Sequence, residues 1–173
     1  RKSTRYVRTA IFVAAEKAVK VQIDRIIKNK GSMPVDDFHR RLGRIMWNEC
    51  GMSRNKPGLE QAISNIRDIR KEFYRDVRVP GKANEFNPEL DKACRVAELL
   101  ELGELMCKDA LARNESCGGH FREEYQTAEG EALRDDESYT FVSAWEYTGD
   151  PSESTLHKED LIFENVELKQ RSY

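Results

Sequence analysis

The sequence predicts a mainly α-helical protein in which four helices are followed by a polar loop and a two-stranded β-ribbon. Apolar residues recur at helical spacing in four segments of the first 113 residues. Proline and glycine stand at the breaks between these segments, where they typically begin or end helices. After residue 137 the pattern changes to the aromatic and β-branched residues that favour strands.

The first two predicted helices are separated by a short polar break. Residues 8–28 carry isoleucine and alanine at helical spacing, and the break at Asn29-Lys30-Gly31-Ser32 ends this helix. Pro34 then begins a second helix, since proline is favoured in a first turn. Gly51 is expected just beyond its end.

The third and fourth predicted helices differ in how much of their surface is apolar. The third begins near Pro57, has a single apolar stripe and ends at Val79-Pro80-Gly81. The fourth begins at Asn87-Pro88, ends near Arg113 and is apolar around most of its circumference. Such a helix is buried on more than one side, so we expect it either at the centre of a bundle or docked on a second body.

The C-terminal part is predicted to be a polar loop followed by a ribbon. Residues 114–137 show no period, whereas Tyr139–Thr148 and Leu161–Lys169 are predicted as strands around a turn at Gly149-Asp150-Pro151-Ser152. Because a two-stranded ribbon is marginal alone, it should pack on the helices or on an absent partner.

Charge is distributed unevenly along the chain. Residues 1–86 carry 20 Lys and Arg against 10 Asp and Glu, and residues 87–173 carry 9 against 21. The two halves can neutralise each other within one fold, which we favour, or the basic half can present a face to an acidic partner, nucleic acid or anionic lipid. No apolar run approaches the roughly 20 residues that a membrane-spanning helix needs.

Reactive side chains form only weak patterns. Cys50, Cys94, Cys107 and Cys117 lack zinc-ligand spacing, and free thiols in a reducing compartment are expected. Cys117-Gly118-Gly119-His120 could supply a nucleophile and a base, but we expect a loop-packing role. Glu123-Glu124 and Asp135-Asp136-Glu137 could serve acid–base chemistry or bind a metal, with solvated charge as the default.

The segment after the fourth helix alternates arginines with acids around two glycines. This composition suits a loop in which guanidinium groups hold carboxylates and backbone carbonyls, and which is braced against a partner's surface. The residues predicted for this domain or subunit interface are Arg113, Glu115, Ser116, His120, Arg122, Arg134, Asp135 and Asp136.

The same segment resembles a signature of the flavoprotein subunit of succinate dehydrogenase and fumarate reductase. The common form R-x-E-S-R-G-x-H-x-R-x-D, then R-D-D-E/K, is matched by Arg113–Glu124 and by Arg134-Asp135-Asp136-Glu137. Cys117 stands where most members have Arg, which removes the arginine of one family salt bridge, and Glu124 stands where most have Asp. The runs Arg44–Asn55, Leu99–Met106 and Phe163–Tyr173 are similar to the branch that partners a dihaem cytochrome b, so the resemblance extends from about residue 10 onward.

The resemblance implies a three-helix up-and-down bundle, spectrin-repeat-like, formed by the second to fourth helices. It divides the chain into an N-terminal helix and linker at 1–31, the bundle at 32–113 and the loop with its β-hairpin tail at 114–173. It places FAD, the dicarboxylate pocket and all catalytic residues in upstream flavin-binding and capping domains. No catalytic, cofactor-binding or metal-binding residue is therefore expected in this chain.

The resemblance also implies partners and a location. The bundle would pack on the upstream domains and lie near an iron–sulfur subunit, with a membrane cytochrome b contacted indirectly. The parent complex would be peripheral on the cytoplasmic side of the cell membrane, and this chain would be a soluble piece of a longer protein, as its start without Met also suggests. The alternatives are a basic nucleic-acid-binding helical module, which we do not favour, and a Cys–His enzyme domain.

Overall fold

Four long helices dominate the structure, a computed structural model that describes residues 10–169. They are α1 (Ala10–Ile27), α2 (Val35–Glu49), α3 (Lys56–Asp76) and α4 (Pro88–Ala112). The predicted mainly α-helical fold is confirmed, and the helix bounds lie within two residues of expectation except that the predicted start at residue 8 lies outside the described residues. No helix between residues 10 and 169 has the length and hydropathy needed to cross a bilayer.

Helices α2, α3 and α4 pack around one apolar core, and α1 joins it only near its C-terminal end. Phe38 of α2 and Phe73 of α3 meet edge to face with ring centroids 5.2 Å apart, and both are fully buried. Ile26 is the buried residue of α1. The apolar stripes predicted from helical spacing therefore do face one another.

Asparagine side chains fix where the two longest helices begin. The Asn55 side chain accepts a hydrogen bond from the Gly58 backbone N–H, and Asn87 accepts one from Leu90. Each asparagine satisfies an amide that has no partner within its own helix. Pro34, expected in the first turn of α2, is instead the extended residue before it.

Two-residue parallel ladders join distant segments at both ends of α2 and α3. Strand β1 (Met33–Pro34) pairs with β3 (Val77–Arg78), and β2 (Ser53–Arg54) pairs with β4 (Phe121–Arg122). The backbones approach very closely at the first ladder, because a Cβ on Gly31 would lie 2.0 Å from the carbonyl oxygen of Asp76. Sequence patterns predicted neither ladder, since two residues are too short to show a period.

A β-hairpin follows the loop and packs on α4. A short helix, α5 (Asp136–Tyr139), leads into β5 (Phe141–Glu146), which pairs antiparallel with β6 (Thr155–Asp160). The Trp145 indole donates to Asp109 at 2.8 Å, and Lys108 Nζ donates to Ser154 Oγ at 2.6 Å. The expectation that the ribbon packs on the helices is confirmed.

The prediction of a second strand at Leu161–Lys169 was wrong. These residues form no strand, and the partner of β5 is the polar segment β6. Polar cross-strand contacts support that pairing: His157 lies 2.7 Å from Glu146, and Lys158 Nζ lies 4.2 Å from the centroid of the Phe141 ring. The predicted first strand also begins later, because Tyr139 belongs to α5.

Helix α4 occupies a central position and still keeps an apolar stripe on the surface. It packs on α1, α2 and α3 and against the 3₁₀ turn Pro151–Glu153. Leu99, Leu102 and Met106, which are 38, 50 and 47% exposed, follow one another at helical spacing on its remaining side. The central position expected for this helix is therefore observed, and docking of its exposed stripe on a second body stays a prediction.

Candidate functional site

The loop from Arg113 to Asp136, called the charged loop below, returns from the end of α4 to the start of α3. Strand β4 within it lies parallel to β2, and the Glu123 backbone N–H donates to the Arg54 carbonyl at 2.8 Å. The buried side chains of this loop are unusual because they are polar. Glu115, Ser116 and Arg122 are each at most 2% exposed. Such groups need partners inside the protein.

Arg122 is the centre of the charged loop and closes the C-terminal end of α4. Its Nη1 donates to the Ala110 carbonyl at 2.9 Å, and its Nε donates to Glu124 at 3.1 Å. A cation at the C-terminal end of a helix satisfies carbonyls that lack a partner and interacts favourably with the helix dipole. Ser116 fixes the backbone beside it by accepting from the Arg122 N–H at 2.8 Å.

Glu115 joins the two ends of the charged loop. Its Oε1 accepts from Arg113 Nε at 2.7 Å, and its Oε2 accepts from the Asp135 backbone N–H at 2.9 Å. Arg113 also donates to the Tyr139 carbonyl at 2.9 Å, which ties the loop to α5. The buried carboxylate is thereby compensated by a charged and a neutral donor.

His120 is held as a neutral side chain with both ring nitrogens in use. Nδ1 lies 3.0 Å from Arg54 Nη1 and Nε2 lies 3.0 Å from the Arg113 carbonyl oxygen. Because the guanidinium can only donate and the carbonyl can only accept, Nδ1 carries the lone pair and Nε2 the proton. Burial lowers the pKa of His120, and the nearby arginine charges add to this effect, although the hydrogen bond to the Arg113 carbonyl acts in the opposite direction.

The Cys117–His120 pair does not form a nucleophile and base. The two residues exchange backbone hydrogen bonds across a tight turn at 2.8 and 3.0 Å, with Gly118 at a φ of +59°. The lone pair that a general base would need is already bound by Arg54. The geometry therefore supports the loop-packing role over the enzymatic alternative.

Glu123 and Glu124 hold the segment before α3 rather than a substrate or metal. Glu123 accepts from the Ser53 hydroxyl at 2.8 Å and from the Asn55 amide at 3.0 Å. Glu124 accepts from the Lys56 backbone N–H. Burial raises the pKa of Glu124, but its hydrogen bonds with Lys56 and Arg122 outweigh this and lower it overall. Between residues 10 and 169 no three His, Cys, Asp or Glu side chains gather as metal ligands.

Arg134 and Asp136 lie apart from this buried network. Arg134 Nη2 lies 2.5 Å from Asp136 Oδ1, and its Nη1 donates to the Lys169 carbonyl at 3.0 Å. Asp135 accepts from the Ser138 backbone N–H at 3.1 Å and so begins α5. Of the predicted interface residues, Arg134, Asp135 and Asp136 are at least partly exposed. Glu115, Ser116 and Arg122 are buried, so they can affect a partner only through the shape that they give the loop.

Sequence patterns did not reveal two further charged groups. Arg54 contacts both Gly51 O, at 2.6 Å, and His120. Glu104 is fully buried in α4 and accepts from Arg67 at 2.7 Å and Arg70 at 2.6 Å on α3. The only signal for Glu104 is an acid within a predominantly apolar helix. These pairs also show that basic side chains of the first half are neutralised within the fold.

The N-terminal half of α1 presents a second feature, an apolar surface. Its large apolar side chains are mostly exposed: Ile11 79%, Phe12 60%, Val13 51% and Val19 57%. They lie on several sides of the helix, and a large exposed apolar surface of this kind typically marks a contact with other protein.

Comparison with known proteins identifies the family. The family model described as fumarate reductase flavoprotein C-term matches residues 39–173. The chain belongs to this family. The residues matched include α3, α4, the charged loop and the hairpin.

Individual relatives agree with this assignment. The chain is 25% identical over 126 residues to a fumarate reductase flavoprotein subunit of Haemophilus influenzae, covering 73% of this chain and 20% of the relative. It is 30% identical over 112 residues to a succinate dehydrogenase flavoprotein subunit of Rickettsia bellii, covering 65% and 18%. The chain thus spans about a fifth of the length of these relatives.

The fold is likewise that of a known structure. A quinol-fumarate reductase chain solved with menaquinol superposes with a TM-score of 0.77 at 22% sequence identity, covering 92% of this chain and 27% of that one. The three-helix bundle with an added helix and hairpin is thus a fold found within such flavoprotein chains. Nothing in these comparisons supports the nucleic-acid-binding alternative.

Proposed function

We propose that this chain is the structural C-terminal domain of a flavoprotein subunit that interconverts succinate and fumarate. The parent subunit would use FAD and pass electrons through an iron–sulfur subunit to or from quinone. A membrane cytochrome b would be contacted indirectly, at the cytoplasmic side of the cell membrane. Family membership and the names of the relatives support this assignment.

The residues between 10 and 169 do not fit a flavin. A dinucleotide pyrophosphate is typically held by free amides at a glycine-rich helix N-terminus. Here the amides that begin α3 and α4 are capped by Asn55 and Asn87, and Asp36 and Asp37 place negative charge in the first turn of α2. The flavin would therefore belong to the remaining four-fifths of the subunit, and no reaction step is assigned to this chain.

The observation that carries the structural role is the exposed apolar half of α1. Only the C-terminal end of α1 joins the bundle core, and Ile11 and Phe12 stay 79 and 60% exposed to the rest of the described residues. We infer that the flavin-binding and capping domains cover them. The charged loop, the surface pair Arg134–Asp136 and the stripe on α4 would add surface for these domains and for the iron–sulfur subunit.

Phe12→Glu tests this role in the complete subunit. We expect the 173-residue chain to keep its melting temperature, because Phe12 is exposed in it. We expect the complete subunit to lose much of its bound flavin and its succinate oxidation, since a carboxylate would be buried between domains. Lys17→Glu, also on the exposed surface of α1, is the matched control.

Two outcomes would contradict the proposal. Equal flavin content and activity in both variants and the unchanged subunit would show that α1 is not a docking surface. Stoichiometric flavin or turnover of succinate by the 173-residue chain alone would show that it is not merely structural.

A further inference from the structure

A groove, called the α4 groove below, runs along α4 between α1 and the β-hairpin. It consists of two hollows of about 450 and 240 Å³ that meet at Glu101 and Tyr147. Because a water molecule takes up only about 30 Å³ of liquid volume, a whole side chain can enter each hollow. Its apolar walls include Val19 of α1, Leu105 of α4 and Trp145 of the hairpin.

Glu101, at the centre of the α4 groove, is partly buried and has no counter-ion in direct contact. Between residues 10 and 169 no side chain forms an ion pair or a hydrogen bond with its carboxylate. The nearby arginines are engaged elsewhere. Arg70 donates to Glu104 at 2.6 Å, and Arg25 lies over the Tyr74 ring with its Cζ 3.8 Å from the centroid. Glu104, one turn further along α4, thus has the cationic partners that Glu101 lacks.

The charges around Glu101 leave its ionised form only weakly compensated. Burial raises the pKa of Glu101, and the charge of Arg70 opposes this effect. The acids Asp150, Glu98 and Glu104 raise it further. A cation brought within a few ångströms of the carboxylate would reverse this balance, since an opposite charge favours the ionised form.

The walls of the α4 groove suit a cation that has an apolar stem. Two of its aromatic side chains are held in place, because the Tyr147 hydroxyl donates to the Gly149 carbonyl at 2.9 Å and the Trp145 indole donates to Asp109 at 2.8 Å. Aromatic rings attract cations, and lysine and arginine carry their charge at the end of an apolar stem. Such a side chain could pack its stem on the rings and place its charge at Glu101.

We propose that the α4 groove receives a lysine or arginine side chain of the flavin-binding and capping part of the same subunit, and that this cation pairs with Glu101. The inference rests on the proposed function, because it requires those domains to cover α1. Val19, which is 57% exposed, belongs both to the α4 groove and to the exposed apolar surface of α1. A domain that covers α1 would therefore lie beside the groove, where its own basic side chain complements the unpaired acid.

Glu101→Gln, made both in the complete subunit and in the 173-residue chain, tests the pairing by the sign of its effect. In the 173-residue chain we expect an unchanged or higher melting temperature, because the variant removes a carboxylate without a counter-ion. In the complete subunit we expect a melting temperature lower by about 2 °C or more, because a buried cation would lose its partner. Glu60→Gln on α3, at a side chain that is 54% exposed, is the matched control and should leave both melting temperatures unchanged.

Carboxylate labelling measures whether the α4 groove is occupied. Amidation with glycinamide and a carbodiimide, followed by mass spectrometry, should modify Glu101 in the 173-residue chain and spare it in the complete subunit. Glu60 should be modified equally in both. Modification of Glu101 to the same extent in both proteins would show an open groove and would overturn the proposal.

Three further outcomes would overturn the proposal, and they differ from a failure of the proposed function. An unchanged or higher melting temperature of the complete Glu101→Gln subunit would mean that no cation pairs with Glu101, even if labelling shows it covered. Protection of Glu101 that rises with the concentration of the 173-residue chain alone would assign the groove to a second copy. If Phe12→Glu has no effect on flavin content, the covering domain itself is refuted, whereas flavin loss in Phe12→Glu without an effect of Glu101→Gln refutes the pairing alone.

Discussion

The helix bundle and the charged loop are both ordered by burial, but by burial of opposite kinds of side chain. In the bundle the fully buried residues are chiefly apolar, such as Phe38, Leu59 and Phe73. In the charged loop they are Glu115, Ser116 and Arg122, each with hydrogen-bond partners inside the chain. Apolar contacts are non-directional, whereas hydrogen bonds require particular distances and angles.

This difference in buried side chains means that the bundle chiefly determines the stability of the fold, whereas the charged loop chiefly determines the shape of one surface. The bundle stabilises the fold by removing apolar area from water, and comparable apolar side chains could replace those present. The charged loop adds less net energy, because its polar groups lose water on burial, but a missing partner leaves a costly unpaired group. The loop is thus expected to specify one geometry for the surface it carries.

The largest effect is expected in the bundle, from Phe73→Ala. Removing this fully buried ring and its contact with Phe38 should lower the free energy of unfolding by about 4 kcal/mol. Urea unfolding measures the change, and Trp47→Ala, at a ring that is 83% exposed, should stay within about 0.5 kcal/mol. Similar losses in both variants would mean that the apolar core is not the main source of stability.

The next effect is expected in the charged loop, from Arg122→Ala. This change leaves the Ala110 carbonyl without its side-chain donor and removes one of the two donors to Glu124, so it should cost about 3 kcal/mol of unfolding free energy. Arg134→Ala is the matched control and should cost less than about 1 kcal/mol, because the side chain of its partner Asp136 is 43% exposed and water can replace the lost contact. Equal costs would remove the distinction between the buried network and the surface pair.

A smaller effect is expected at the turn between Cys117 and His120. Gly118 has a φ of +59°, which an alanine adopts at a cost of about 1 kcal/mol, so Gly118→Ala should lower stability by that amount. Gly119→Ala should be nearly neutral, since its φ is not positive and a Cβ there meets nothing within 4 Å. The reverse order in urea unfolding would show that the turn has another conformation.

The smallest effect is expected from titration of His120. Its pKa is lowered in the folded protein by burial and by Arg54, Arg122 and Arg113, so the unfolded chain binds its proton first as the pH falls. Stability should therefore be highest above the usual value of 6.5 and decrease as the pH falls below it. His120→Gln should show a shallower decrease between pH 7 and 5, and identical pH profiles would contradict the neutral assignment.

The helices could be predicted because their signals are local. Helical spacing in α3 and α4 and the caps Asn55 and Asn87 act over a few residues, so the sequence displays them directly. The resemblance of the Arg113–Glu124 run pointed to the family that the comparisons then established.

The remaining features depend on contacts between distant residues. Arg54 and His120 meet across 66 positions, and Glu104 is neutralised by Arg67 and Arg70 of another helix. Strand β6 has Leu156 as its one apolar residue and is defined by its pairing with β5. It therefore lacks the alternation that misleadingly marked Leu161–Lys169. That Arg134 and Asp136 belong to a domain or subunit interface stays a prediction.

The ladder between Ser53–Arg54 and Phe121–Arg122 has a consequence for synthesis on the ribosome. Translation produces α2 and α3 well before it produces residue 121, so β2 has no strand partner when these helices first emerge. That end of the nascent bundle stays open until the later segment has left the exit tunnel. A translational pause before residues 121 and 122 have left the tunnel would prolong exposure of the unpaired edge to chaperones, whereas a later pause would not.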